Sequence, residues 1–137
     1  MKVSRTVLLG FLTLAVCGFV VGCQQQVKGS LQRIHFDFDK YSVKAEFQGA
    51  MKHNAAWMQG HPNSSLTVEG HCDERGSTEY NIALGDRRAK SAKEYLVHLG
   101  VGANRVSTIS YGEERPMCNG HDESCWWKNR RAEFVAR

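Results

Sequence analysis

The segment "VEGHCDERGSTEYNIALGDRRA", residues 68–89, changes character twice and carries eight charged side chains. Its start continues "SLTVEG", residues 65–70, where Leu66 and Val68 alternate with Thr67 and Glu69. Period two with one apolar face predicts a strand. Downstream, Gly85, Ala89, Ala92, Leu96 and Leu99 recur at helical spacing, and Gly100 stands where a left-handed C′ residue belongs. Asp73, Glu74 and Arg75 fall in the loop between them. This strand–loop–helix reading places Asp73 just past the strand and Arg88 in the first turns of the helix, on the side of Leu84. An anion and a cation then face one crevice. Such a pair fits a zwitterionic amino-acid terminus, the carboxylate taking the ammonium and the guanidinium fork the carboxylate. The alternative is an ordinary surface ion pair, worth about 0–1 kcal/mol. Glu74 and Arg75 are expected to be solvated or paired with each other. Arg87, offset by about 100° from Arg88, is expected to point away, and Gly70 and Gly76 to permit tight turns.

Working outward, "RIHFDF", residues 33–38, alternates with Ile34, Phe36 and Phe38 on one face, which predicts another strand. Ser42 is a candidate cap for a helix carrying Val43, Phe47, Met51, Ala55 and Met58, stopped by Gly60, His61 and Pro62. "RVSTISYG" and "RRAEFVA" read as two further strands, separated by a loop with one short helical turn. The order β-α-β-α-β-β predicts an α/β (α+β) two-layer sandwich, a mixed sheet with helices on one face.

The chain opens with Lys2 and Arg5 ahead of an uncharged apolar run from Val7 to Val21. That is shorter than the roughly 20 residues a membrane-spanning helix needs and fits the apolar region of a signal peptide. "VVGC" followed by glutamines resembles a bacterial lipobox, implying cleavage after residue 22 and lipidation of Cys23. Gln24, rather than Asp, implies the outer membrane in the enterobacterial sorting pattern. The alternative is an ordinary secretory signal with an incidental cysteine. Removing residues 1–22 from the 137 leaves 115, one domain's worth, and lowers the formal charge from +4 to +2. Nothing in so weak a bias calls for nucleic acid. Residues 24–32 read as a polar linker reaching about 30 Å at most.

Of five cysteines, Cys72, Cys118 and Cys125 remain after processing. In an oxidising compartment the simplest arithmetic is one disulfide and one free thiol. "CNGHDESC" carries Asn119-Gly120 turn chemistry between Cys118 and Cys125, so these two are expected to pair and Cys72 to stay free. Pairings through Cys72, or zinc held by Cys118, His121 and Cys125 with Cys72 or His71, are the alternatives. The zinc reading lacks paired C-x₂-C knuckles. An enzyme reading would use Cys72 as nucleophile with His71 or His121 as base. Adjacent strand residues point to opposite faces, however, and no oxyanion donors are evident. No enzymatic activity, cofactor or metal is expected.

The motifs "IHFDFDKYSV", "VEGHCDERGSTEYNIALGDRRA", "SYGEERP", "GHDE" and "KNRRAEFV" resemble, in that order, those of the OmpA-like domain family, in particular its peptidoglycan-associated lipoproteins. The resemblance covers residues 33–137, with 1–22 as signal peptide and 23–32 as lipidated N-terminus and linker. It implies non-covalent binding of peptidoglycan through the meso-diaminopimelate of the stem peptide. It also implies a role in a Tol-Pal system that serves envelope integrity and cell division, with a TolB-like periplasmic partner on an overlapping face. A lipid-anchored scaffold that binds only protein is the rival. By motif, Asp73 and Arg88 would grip the amino-acid end of diaminopimelate, Asp39 and Leu84 would line the crevice, and Asn129 and Arg130 would complete its rim. Removing Asp73 or Arg88 is expected to weaken binding and leave the fold intact. This chain departs from the family pattern at Cys72, Cys118, Cys125 and Trp126-Trp127, and in its short linker.

Overall fold

The computed structural model describes residues 29–137; the expected signal peptide, Cys23 and most of the expected linker lie outside the described residues. The elements are β1 (Ile34–His35), α1 (Gln48–Gly60), β2 (Leu66–His71), α2 (Thr78–His98), β3 (Val106–Gly112), α3 (Glu123–Asn129) and β4 (Arg131–Ala136). The strands form one mixed sheet in the order β1-β4-β2-β3. β4 is antiparallel to both neighbours, and β2 and β3 are parallel. Inward residues Ile34, Leu66, Val68, Val106, Ala132 and Phe134 pack against Met51, Ala55 and Met58 of α1 and Ala89, Ala92 and Leu96 of α2. This is the expected two-layer α/β sandwich, with α1 and α2 covering one face.

α2 begins and ends on local sequence signals. Ser77 Oγ accepts from the Tyr80 N–H at 3.2 Å, satisfying one orphan donor of the first turn. At the other end Gly100 takes φ +97°. The Gly100 N–H reaches the Val97 carbonyl and the Val101 N–H the Leu96 carbonyl, the two bonds of a Schellman ending. α1 departs from expectation at its start. Ser42 makes no cap; a 3₁₀ turn over Ala45–Phe47 leads into the helix at Gln48. The cause is tertiary, because residues 37–44 are held elsewhere: Lys44 bridges Asp37 and Glu46 at 2.9 and 2.6 Å, and Arg88 takes the Lys40 carbonyl.

The first strand is also shorter than its alternation suggests. After His35 the Phe36 N–H still pairs with the Arg130 carbonyl. The Phe36 carbonyl, however, accepts from Arg130 Nε and the Asp37 carbonyl from Arg88 Nη2. Guanidinium groups replace a neighbouring strand, and the chain turns through Asp39 at φ +53°. Phe38, expected on the core face, is instead 55% exposed.

Gly70 serves a different purpose from a turn. It sits within β2, and a Cβ there would overlap the Gly85 carbonyl of α2, while a Cβ on Gly85 would overlap Ser110 Oγ. The two glycines let α2 lie directly on the sheet; Gly76, at φ +106°, does make a turn. Gly70→Ala must push helix from sheet, a backbone displacement at the upper end of overpacking penalties. We expect a loss of about 3 kcal/mol, read as a fall in the urea midpoint.

Cys118 and Cys125 are joined in a disulfide with a Cα–Cα distance of 5.3 Å, and Cys72 is a buried free thiol. Closing so short a loop is worth about 2.5 kcal/mol on the chain-entropy estimate. Non-reducing peptide mapping of the native protein is expected to recover Cys118–Cys125 and an unmodified Cys72. A Cys72-containing disulfide would contradict it.

Candidate functional site

A cavity of about 230 Å³ opens at the carboxyl end of β2, beside the first turns of α2. Asp39, Asp73, Leu84 and Arg88 line it together with Phe38, Cys72, Arg75 and Tyr80. Crevices beyond strand carboxyl ends are where open α/β sheets commonly take ligands. Four of the six expected binding residues therefore meet in one place, although the sequence separates Asp39 from the rest.

Arg88 forms the floor and is 1% exposed. Its Nε donates to the Lys40 carbonyl at 2.8 Å, Nη1 to the His71 carbonyl at 2.9 Å and Nη2 to the Asp37 carbonyl at 3.1 Å. The guanidinium thus ties the turn after β1 to the end of β2. Five N–H groups less these three bonds leave two without a backbone partner, and Cys72 lies beside the guanidinium. Because the same side chain holds three backbone carbonyls, removing Arg88 is now expected to cost stability as well as binding.

Asp73 is 4% exposed. Its Oδ1 accepts from the Arg75 N–H at 3.0 Å and from Arg75 Nε at 3.2 Å; Oδ2 accepts from Arg75 Nη2 at 2.8 Å and Arg130 Nη1 at 3.4 Å. Burial works to raise its pKa, but the hydrogen bonds and charge of Arg75, helped by Arg130, hold the carboxyl below its usual range. The wall of the cavity therefore carries an ionised carboxylate.

Asp39, on its left-handed turn, accepts from the Tyr80 hydroxyl, and Leu84 supplies the apolar side. Arg130 stands behind Asp73 rather than in the cavity, bonding the Phe36 carbonyl and Glu123 as well. Asn129 lies outside it and lines a neighbouring cavity of about 280 Å³. Its Oδ1 accepts from the Met117 and Cys118 N–H groups at 2.8 and 3.1 Å, and its Nδ2 donates to the Cys118 carbonyl at 2.8 Å. All three of these side-chain bonds of Asn129 go to the loop that carries the disulfide.

Two neighbours of Asp73 have partners other than those expected. Glu74 and Arg75 do not pair with each other: Glu74 accepts from Trp126 Nε1 at 2.9 Å and contacts His121 Nδ1 at 2.7 Å. The Arg75 guanidinium lies over two rings, 3.9 Å from the Phe38 centroid and 4.1 Å from that of Trp126. Nothing in the sequence joins Phe38 and Trp126 to Arg75; the sheet and the disulfide loop bring them there. Arg87 is exposed, as expected, with its guanidinium 5.5 Å over Tyr41.

The cysteine and histidine chemistry is unpromising for catalysis. Burial pushes the Cys72 thiol up to about 11, so it is protonated at neutral pH and a poor nucleophile. It donates to the Asn81 carbonyl at 3.3 Å rather than to a base. Desolvation, with the charge of Arg131, lowers His71 to about 4, so its 3.6 Å approach to Glu69 is a contact of a neutral ring. The disulfide consumes two thiols that the zinc reading would need.

A model of the OmpA family matches residues 35–130. The peptidoglycan-associated lipoprotein of Rhizobium meliloti is 51% identical over 103 residues, covering 75% of this chain and 58% of that protein. The protein of the same name from Pasteurella multocida is 47% identical over 108 residues, covering 79% of this chain and 72% of that one. The chain thus spans less than two thirds of the first relative's length. Among solved structures, the peptidoglycan-associated lipoprotein from Burkholderia pseudomallei superposes with a TM-score of 0.75 at 41% identity, covering 77% of this chain and 89% of that chain. Among the described residues no helix is long and apolar enough to cross a membrane. With the mixed sheet, the ordered motifs and the matched residues in agreement, the chain belongs to the OmpA family, in the branch of the peptidoglycan-associated lipoproteins.

Proposed function

We propose that this protein is an outer-membrane lipoprotein that binds peptidoglycan without cleaving it, through the free amino-acid end of meso-diaminopimelate. The observation that carries this reading is a buried carboxylate, Asp73, and a buried guanidinium, Arg88, lining one small cavity. At about 230 Å³ the cavity is below the roughly 300–1,000 Å³ of drug-sized sites. That suits an amino-acid terminus better than a sugar ring. Asp73 would take the ammonium and the remaining N–H groups of Arg88 the carboxylate, with Asp39 and Leu84 at the sides. The names of the relatives supply the polymer, and the charge pair supplies the part of it that is gripped. Retention on purified sacculi that free meso-diaminopimelate abolishes is the expected result; retention indifferent to the free amino acid would remove the assignment.

The same reading has Cys23 as the lipidated anchor, the domain facing the periplasm, and a TolB-like partner sharing the cavity's face within a Tol-Pal system. Each acyl chain buries methylenes worth about 0.8 kcal/mol apiece, and more than one chain is needed for firm anchoring. Cys23→Ser is accordingly expected to abolish labelled-palmitate incorporation and release the protein from the membrane fraction. Unchanged fractionation and labelling would contradict the anchor.

A further inference from the structure

Asp73 is already fully engaged in this structure. A carboxylate offers about four acceptor positions, and Asp73 meets three Arg75 donors and one from Arg130. An incoming ammonium finds no lone pair free. Arg130 is fixed from behind by the Phe36 carbonyl and Glu123, whereas the Arg75 side chain lines the cavity and is 31% exposed. Of the two, Arg75 is the one able to move.

Two aromatic rings oppose that movement. The Arg75 guanidinium carbon lies over both rings, 3.9 Å from the Phe38 centroid and 4.1 Å from that of Trp126, while its Nε and Nη2 donate to Asp73. Trp126 is itself held at its ring by Glu74, and along the chain by the disulfide at Cys125. Phe38 stands outside the core, so its place over Arg75 is not a by-product of core packing.

We propose that Arg75 is an internal competitor for Asp73, clamped in place by Phe38 and Trp126, and that this clamp makes the cavity selective for a zwitterionic terminus over a plain amine. The proposal rests on Asp73 being the ammonium's partner. A plain amine must displace a guanidinium whose remaining carboxylate partner is the exposed Glu123, 3.9 Å from its Nη2. A zwitterion brings its own carboxylate, which the displaced guanidinium can bind in a bidentate pair. One ion pair is then traded for two. Trp126 and Phe38 are positioning residues in this scheme, acting through Arg75.

The test compares meso-diaminopimelate with the derivative amidated at both amino-acid ends, by calorimetry on the full mature protein in detergent. The parent is expected to bind the amidated end poorly. Arg75→Gln should bind it about tenfold more tightly, and Phe38→Ala, which loses one cation–π face, about fivefold more tightly. Phe38 is exposed enough for its variant to fold. A ligand-free measurement accompanies these: the Asp73 carboxyl titration, followed by carbon NMR, should move upward in both variants as the guanidinium lets go. Amide binding unchanged or weaker in both variants, or an Asp73 titration that stays where the parent has it, would overturn the proposal. Failure of the diaminopimelate reading looks different, because sacculus retention would then survive Asp73→Ala. An upward Asp73 titration in both variants would still support the clamp.

Discussion

Arg88→Ala is expected to lower the free energy of unfolding by about 3–5 kcal/mol, a larger effect than most single substitutions produce. The side chain is 1% exposed and donates to the carbonyls of Asp37, Lys40 and His71. Leaving a buried acceptor unsatisfied costs about 1–3 kcal/mol, and three are left at once. Burying the guanidinium carries its own desolvation cost, and relief of that cost keeps the loss below the simple sum. Arg88→Lys should recover little, since one ammonium cannot span three carbonyls that a planar fork reaches. Urea unfolding of the two variants reads the effect directly. Near-parental midpoints in both would show that the turn after β1 does not depend on this bridge.

Asp73→Ala is expected to do the opposite: little to the fold and much to binding. Its partners keep other support, Arg130 on Glu123 and the Phe36 carbonyl and Arg75 on the Phe38 and Trp126 rings and near Glu123. Truncating one member of a desolvated charge pair typically costs about 2–5 kcal/mol, or roughly 30- to 5,000-fold in affinity. Sacculus retention should fall by at least the lower figure while the circular dichroism spectrum stays that of the parent. Asp73→Asn, which keeps the shape and removes the charge, should lose nearly as much. A folded Asp73→Ala protein that sediments with sacculi like the parent would remove Asp73 from the site. Because Arg88 also holds the fold, the binding assignment is better tested at Asp73.

Local signals were legible in the chain where the physics is local. The α2 ending at Gly100 needs only a residue free to take positive φ, and the cap at Ser77 only a hydroxyl at the right offset. The alternation at Leu66–Val68 and Ala132–Phe134 needs only one buried face. These features set the element order, and the order with its helix lengths set the two-layer α/β class. The ordered motifs likewise brought Asp73, Arg88, Asp39 and Leu84 forward as one set. No signal joined Trp126, Phe38 and Arg75 to one another, because they meet only where the turn after β1, the loop after β2 and α3 come together.

What the chain determined by itself is thus the class of fold, the strand–loop–helix unit that carries Asp73 and Arg88, and the opposite signs of those two charges. Tertiary structure alone decided where β1 ends, where α1 begins and which partners the charges have. In each case the deciding group comes from a distant element. Arg88 and Arg130 draw the carbonyls of residues 36–40 away from a strand ladder, and Gly70 matters because Gly85 arrives over it. Side-chain periodicity reports only which face a residue presents. A buried guanidinium acts through backbone carbonyls many residues away, and that reach becomes visible only once the sheet has brought them within 3 Å or so.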